Sequence, residues 1–421
     1  MKRFGNKWLV WNMSWMIALA MMTTTARAQQ VIHVPMIPSL WVVKGTATFS
    51  KDAQLHQPAL AIEKGSVALR NTHFADGTIS FDVKFAGGIS GITFRQRGDT
   101  SDVLYFRPGV DCPVSDDCIQ YMPRDHGIFE WDLYGDNQAR GPIRMGAWNH
   151  ITLVVSKRRL NVFVNGGKAP ALVVDRMAGA YASGDLEFHG AAAFANLVLT
   201  PGKVDGLVPQ RAPLTAVPDR RFLRHWVAAK PFVMPSRLNK PLGENIGIAP
   251  SYAAMPSRST PWRHLEADSD GLLNLTRAYG EAQTGHAIIG VWLKTVIDSD
   301  RAQVKQVAIG WTREAWVFVN GKQVFASRNL YGVPGESKNP DGRLSLINGS
   351  FALPLRKGKN EVAVALDDNF AGGLQHFGWG LEMRLDDVGS TSLDANQGDP
   401  SAHPREQGTD ERLMAQPAKA R

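Results

Sequence analysis

The chain has 421 residues, room for two or three domains with cores of their own. Its 47 Lys and Arg outnumber 39 Asp and Glu, a formal +8, but Lys2, Arg3, Lys7 and Arg27 all fall in the first 28 residues; without those four the balance is 43 to 39, or +4. No basic stripe of the kind nucleic acid demands runs through the remainder, so nucleic acid is not an expected partner.

Residues 1–28 read as an export signal. Lys2, Arg3 and Lys7 make a basic start, Trp8 to Met22 is apolar apart from Asn12 and Ser14, and Ala26-x-Ala28 is a small-residue cleavage site. The run is shorter than the roughly 20 apolar residues a transmembrane span needs, and no Cys follows it to take a lipid. A mature chain from Gln29, periplasmic or secreted, is expected, with no membrane span in it.

From 29 to 204 the chain reads as short strands. Thr78–Phe85 alternates Ile79, Phe81, Val83 and Phe85 with polar partners, the period of a half-buried strand. Weaker strands follow at 91–97 and 103–107, then 150–156 and 160–164, where Asn165-Gly166 marks a tight turn. Between them lie the only two cysteines, Cys112 and Cys118, which an oxidising compartment would join. Residues 205–245 are rich in Pro and Arg and read as a linker, with Phe222, Trp226 and Phe232 docking on a neighbour. A second β region spans 246–388, its clearest hairpin turning at Asn320-Gly321. Residues 389–421 are polar, lack aromatics and read as a disordered tail. The expected fold is all-β: two β-sandwich, jelly-roll domains joined by the linker.

Three clusters of residues invite a chemical reading. Alternation sets Arg95 and Arg97 against Ile92 and Phe94, Tyr105 and Arg107 against Leu104 and Phe106, and Gln120 against Tyr121. On neighbouring strands, Arg95, Tyr105, Arg107 and Gln120 would form a wet aromatic and guanidinium face suited to sugar; an ordinary solvated sheet face is the plain alternative. Glu130 and Asp132 would share a strand face about 6.6 Å apart, a spacing open to glycosidic chemistry, although two acids on a strand face are commonplace. Trp131, beside Phe129 and Leu133, belongs to a core. The acidic stretch of Asp99, Asp102, Asp111, Asp116 and Asp117 could hold calcium or be a solvated loop; no other cofactor is expected.

Residues 40–204 resemble the laminin-G and concanavalin-A-like lectin and glucanase superfamily, near the 3-keto-disaccharide hydrolase-like domains. The matching pieces are Gly77-Thr-Ile-Ser-Phe-Asp-Val, Gly91-Ile-Thr-Phe-Arg, Tyr105-Phe-Arg-Pro108, Ile119-Gln-Tyr121 and Trp148-Asn-His-Ile-Thr-Leu-Val-Val155. Residues 265–388 resemble galactose-binding-like jelly rolls through Val317-Phe-Val-Asn-Gly-Lys322, Leu355-Arg-Lys-Gly-Lys-Asn-Glu-Val362 and Gly378-Trp-Gly380. The resemblance implies curved sandwiches and a glycan as partner; it does not imply activity, because such folds host lectins and enzymes alike. Where the glucanases carry three alternating acids, this chain has Glu130, Asp132 and then Tyr134. The reading is an exported carbohydrate-binding protein, non-catalytic or accessory. A glycoside-cleaving hydrolase or lyase using the first sandwich, and a protein-interaction module, are the alternatives.

Overall fold

The computed structural model describes residues 30–109, 111–209, 219–239, 244–257, 259–280, 288–368 and 377–393. The expected signal peptide, and the expected tail beyond 393, lie outside the described residues.

The period-two strand of the sequence is the clearest element. Gly77–Phe85 buries Ile79, Phe81, Val83 and Phe85, while the residues between them stay half-exposed. It pairs antiparallel with Trp148–Ser156 on one side and Ala192–Pro201 on the other. Beyond Ala192–Pro201 the sheet continues through Pro58–Leu69, Asp185–His189, Ser90–Arg97, Thr100–Phe106 and Ile119–Asp125. The sheet curls on itself, so Phe81 and Val83 from one half meet Phe94, Phe106 and Tyr121 from the other in one core. Phe188 stacks on Phe194 at 4.2 Å between centroids inside it. This is a jelly-roll sandwich. Asn165 (φ 52°) and Gly166 (φ 70°) make the expected turn, and Cys112 is bonded to Cys118.

A second core holds Trp226, Trp311, Val317, Val364 and Leu381. One of its sheets contains His225–Ala228, Ile289–Ser299, Gly358–Asp367, Arg313–Val319 and Lys322–Asn329; the other contains Leu273–Asn274, Gly380–Leu385, Gln303–Trp311 and Gly349–Leu355. The hairpin at Asn320 (φ 46°) and Gly321 (φ 84°) is as the sequence indicates. Two expectations need correction. Part of the supposed linker is a strand of this sandwich: His225–Ala228 pairs with Arg263–Glu266 and with Lys294 and Leu293, because Trp226 and Ala228 alternate into the core. The supposed tail begins as structure too, since Thr391 and Ser392 pair with Ser299 and Asp298.

A third cluster joins the two. Val103, Tyr105 and Met122 point off the outer face of the first sandwich and pack with Trp131, Leu133 and Tyr134 against Leu272 and Leu344 of the second. The face that sequence alternation assigns to solvent is in large part an intramolecular junction.

Candidate functional site on the outer face of the first sandwich

Alternation places Tyr105 and Gln120 on the outer face, and the pairing Tyr105 with Gln120 brings them together. The Tyr105 hydroxyl donates to Gln120 Oε1 at 2.8 Å, and Gln120 Nε2 donates to the carbonyls of Trp131 (3.2 Å) and Tyr134 (3.4 Å). Arg107 joins them, its Nη2 donating to the Tyr105 hydroxyl at 3.4 Å while its guanidinium lies 3.9 Å from the Trp131 ring centre. Three of the four residues singled out from the sequence are therefore neighbours. They are not wet: Tyr105 and Gln120 are buried and Arg107 is half-buried, because Trp131 and the second sandwich cover them. Burial holds the Tyr105 phenol well above its ordinary pKa, so it serves as a neutral donor.

Arg95 is elsewhere. The pairing of Ser90–Arg97 with Thr100–Phe106 slips between Phe94 and Arg97, and Arg95 takes a positive φ of 51°. One extra residue reverses which face the next side chain joins. Arg95 is thus buried with Asp102, whose Oδ2 lies 3.9 Å from Nη1. It also donates to Asp76 Oδ1 (2.7 Å) and to the carbonyls of Lys157 (2.7 Å) and Ala75 (3.0 Å). Asp102 accepts from the Tyr121 hydroxyl at 2.6 Å, and Tyr121 belongs to the inner core. The sequence carries no mark of this bulge beyond the turn at Gly98.

Glu130 and Asp132 also depart from expectation. Trp131–Leu133 is a single 3-10 turn, not a strand, so the alternation that would align the two carboxylates is lost. Both are buried and serve the junction. Asn274 Nδ2 donates to Glu130 Oε2 at 2.6 Å, and Arg313 of the second sandwich bonds to Asp132 in a pair whose side chains are each 2 % exposed. Burial and nearby Asp125 push the Glu130 carboxyl well above the usual range; burial also raises Asp132, against the pull of Arg313.

The acidic residues considered for calcium face different partners. Asp117 pairs with Arg107, Asp116 with Arg140, and Asp102 with Tyr121 and Arg95. Among the described residues no group of three or more His, Cys, Asp or Glu is arranged to hold a metal ion.

Beside the junction, the outer face continues over residues that sequence reasoning passed by. On Asp185–His189, Leu186 and Phe188 enter the inner core, so Glu187 and His189 face outward. Glu187 accepts from Lys44 Nζ at 2.8 Å. The His189 ring lies 5.8 Å from that of Phe129, and the Arg124 guanidinium lies 5.2 Å from the Phe129 centre. Phe129, His189 and Arg124 are half-buried and Lys44 is exposed. His189 and Tyr105 are the cross-strand partners of Gly91 on either side, so the sheet carries no side chain between them. His189 Nε2 has no hydrogen-bond partner among the described residues; burial lowers its pKa to about 4, which leaves the imidazole neutral near pH 7. The legible signal was the alternation of Leu186 and Phe188 with Glu187 and His189.

Residues 37–197 match the family model described as the 3-keto-alpha-glucoside-1,2-lyase-like domain. The match to this lyase-like domain covers most of the first sandwich, including Phe129, Glu187 and His189, and none of the second. Similar solved structures include a carbohydrate-binding module, CBM66, from Bacillus subtilis: 14% identity, 38% of this chain, 96% of that chain, TM-score 0.28. The Bacillus licheniformis beta-glucanase shows 13% identity over 42% of this chain and 100% of its own, with TM-score 0.28. Domain 4 of a Geobacillus stearothermophilus extracellular arabinanase, solved with arabinotriose, shows 12% identity over 42% of this chain and 85% of its own, with TM-score 0.26. At these scores the likenesses carry no argument about the site. No curated protein matches the chain.

Proposed function

We propose that this is an exported carbohydrate-binding protein whose glycan lies on the outer face of the first sandwich, over Phe129 and His189. The observation that carries the reading is the half-buried row of Arg124, Phe129 and His189 beside the Lys44–Glu187 pair. An aromatic ring offers a platform for the apolar side of a sugar. The imidazole, guanidinium and carboxylate around it offer directed hydrogen bonds to hydroxyls. The lyase-like family match over the same residues supports a carbohydrate ligand. The engagement of Glu130 and Asp132 in the junction supports a non-catalytic role. Export rests on the sequence of residues 1–28, with the Cys112–Cys118 bond in keeping.

A glycan array on the mature protein, followed by calorimetric titration of any hit, tests the site. Phe129→Ala and His189→Ala are expected to weaken binding about tenfold or more, the worth of one good hydrogen bond or stacking contact, with circular dichroism unchanged. Arg95→Ala, at the buried bulge, is expected to lower stability without a specific effect on affinity. Unchanged affinity in Phe129→Ala and His189→Ala would remove the glycan from this face. A second reading, cleavage of a 3-keto glucoside, is favoured by the family description alone; the appearance of new reducing sugar from such a substrate would establish it over plain binding.

A further inference from the structure

Beside the junction core, the two sandwiches together build a group of hydrogen-bond donors with few acceptors. Trp131, from the first sandwich, is the centre. The guanidinium of Arg107 lies over its ring at 3.9 Å, and that of Arg343, from the second sandwich, at 5.1 Å. Tyr331 of the second sandwich meets the ring edge-on at 5.6 Å and is 37% exposed, so the group reaches the surface. One carboxylate serves both arginines: Asp117 bonds to Arg107 and lies 3.5 Å from Arg343 Nη2. Arg343 also bonds to Gln138.

Among the described residues two buried N–H groups there have no acceptor, Trp131 Nε1 and Arg343 Nε, on residues that are 7% and 5% exposed. An unmet buried donor is costly, on the order of 1–3 kcal/mol, and native proteins keep few of them. Both orphans donate and neither accepts. A neutral sugar hydroxyl both donates and accepts, whereas a carboxylate or sulfate only accepts. Guanidinium is the group best matched to planar oxyanions.

We propose that the Arg107–Trp131–Arg343 group is a subsite for an anionic substituent of the glycan, a uronate carboxylate or a sulfate ester. The inference rests on the carbohydrate reading above and adds the ligand's charge. It also gives the second sandwich a part in recognition, because Arg343 and Tyr331 belong to it. Asp341, exposed on the loop that carries Arg343, and Asp132, paired with Arg313, bring the local formal charge back toward balance. Selectivity therefore comes from the directed donors and not from a broad positive field.

The test compares oligogalacturonate with its neutral methyl ester, on the full mature protein, by calorimetric titration at low and at physiological salt. The acid is expected to bind about tenfold or more tightly than the ester, with a preference that largely persists at physiological salt, because partly buried donors are screened little. Arg107→Gln is expected to abolish the preference, bringing the affinity for the acid down to that for the ester. Arg343→Gln is the second variant, and the melting temperature of each confirms folding. Chemically sulfated oligogalactose, run alongside, separates the two oxyanions. Equal binding of acid and ester by the unaltered protein would overturn the anionic subsite and leave carbohydrate binding standing. A preference that survives both substitutions would place the oxyanion elsewhere. Failure to bind any glycan, charged or neutral, would overturn the carbohydrate reading and this inference with it.

Discussion

At the scale of single residues, His189 has the most to say. It faces outward from its strand yet is enclosed enough that burial lowers its pKa to about 4, with Glu187 pulling the other way. An unfolded histidine titrates near 6.5. Between those values the unfolded chain binds the proton and the folded chain does not. The contribution of His189 to stability is therefore complete above pH 6.5 and falls as the pH drops toward 4. An imidazole NMR titration is expected to show His189 with a midpoint near 4, and His189→Gln is expected to flatten that part of the stability profile. A midpoint at or above 6.5 would mean that the ring is open to water and that its environment has been misread. Arg95 gives the contrasting case: alternation alone set it beside Tyr105 and Arg107, and a single inserted residue carries it to Asp76 and Asp102 instead.

At the scale of elements, what could be read from the sequence was what local pattern dictates. Period-two strands such as Gly77–Phe85, turns at Asn165-Gly166 and Asn320-Gly321, and the short Cys112–Cys118 loop all follow from residue types a few positions apart. The outward face was legible on the two strands without a bulge, for Tyr105, Arg107 and Gln120 do leave the inner core. What lies over that face was not legible, because its partners Leu272, Arg313 and Leu344 are more than a hundred residues away. Nor was the 3-10 turn at Trp131–Leu133, where an alternating acid pattern suggested a strand. The Trp131 expectation stands in a changed setting: it packs in the junction cluster, between the sandwiches. Trp131→Ala is expected to destabilise by about 3–5 kcal/mol, the usual range for emptying a large aromatic site, in a denaturant titration. A loss below about 1 kcal/mol would show that the junction tolerates the cavity.

At the scale of the whole molecule, the two sandwiches are tied by polar contacts as well as apolar ones. Arg313 to Asp132, Asn274 to Glu130 and Arg277 to Asp125 all cross the junction. A buried ion pair adds little net stability over an apolar replacement, but removing one partner leaves a charge stranded at a cost of about 3–5 kcal/mol. Arg313→Met is therefore expected to split one cooperative thermal transition into two, with the sandwiches melting separately. A single transition at the wild-type temperature would show that the pair is dispensable. Under the proposals above, one ligand would touch both sandwiches, reaching Phe129 and His189 of the first and Arg343 of the second. Backbone hydrogen exchange with and without a bound glycan tests this account most directly. Protection is expected in 124–131 and 187–190, extending to 331–343 when the glycan is anionic. Protection confined to the Gln303–Trp311 and Gly349–Leu355 strands of the second sandwich would contradict it.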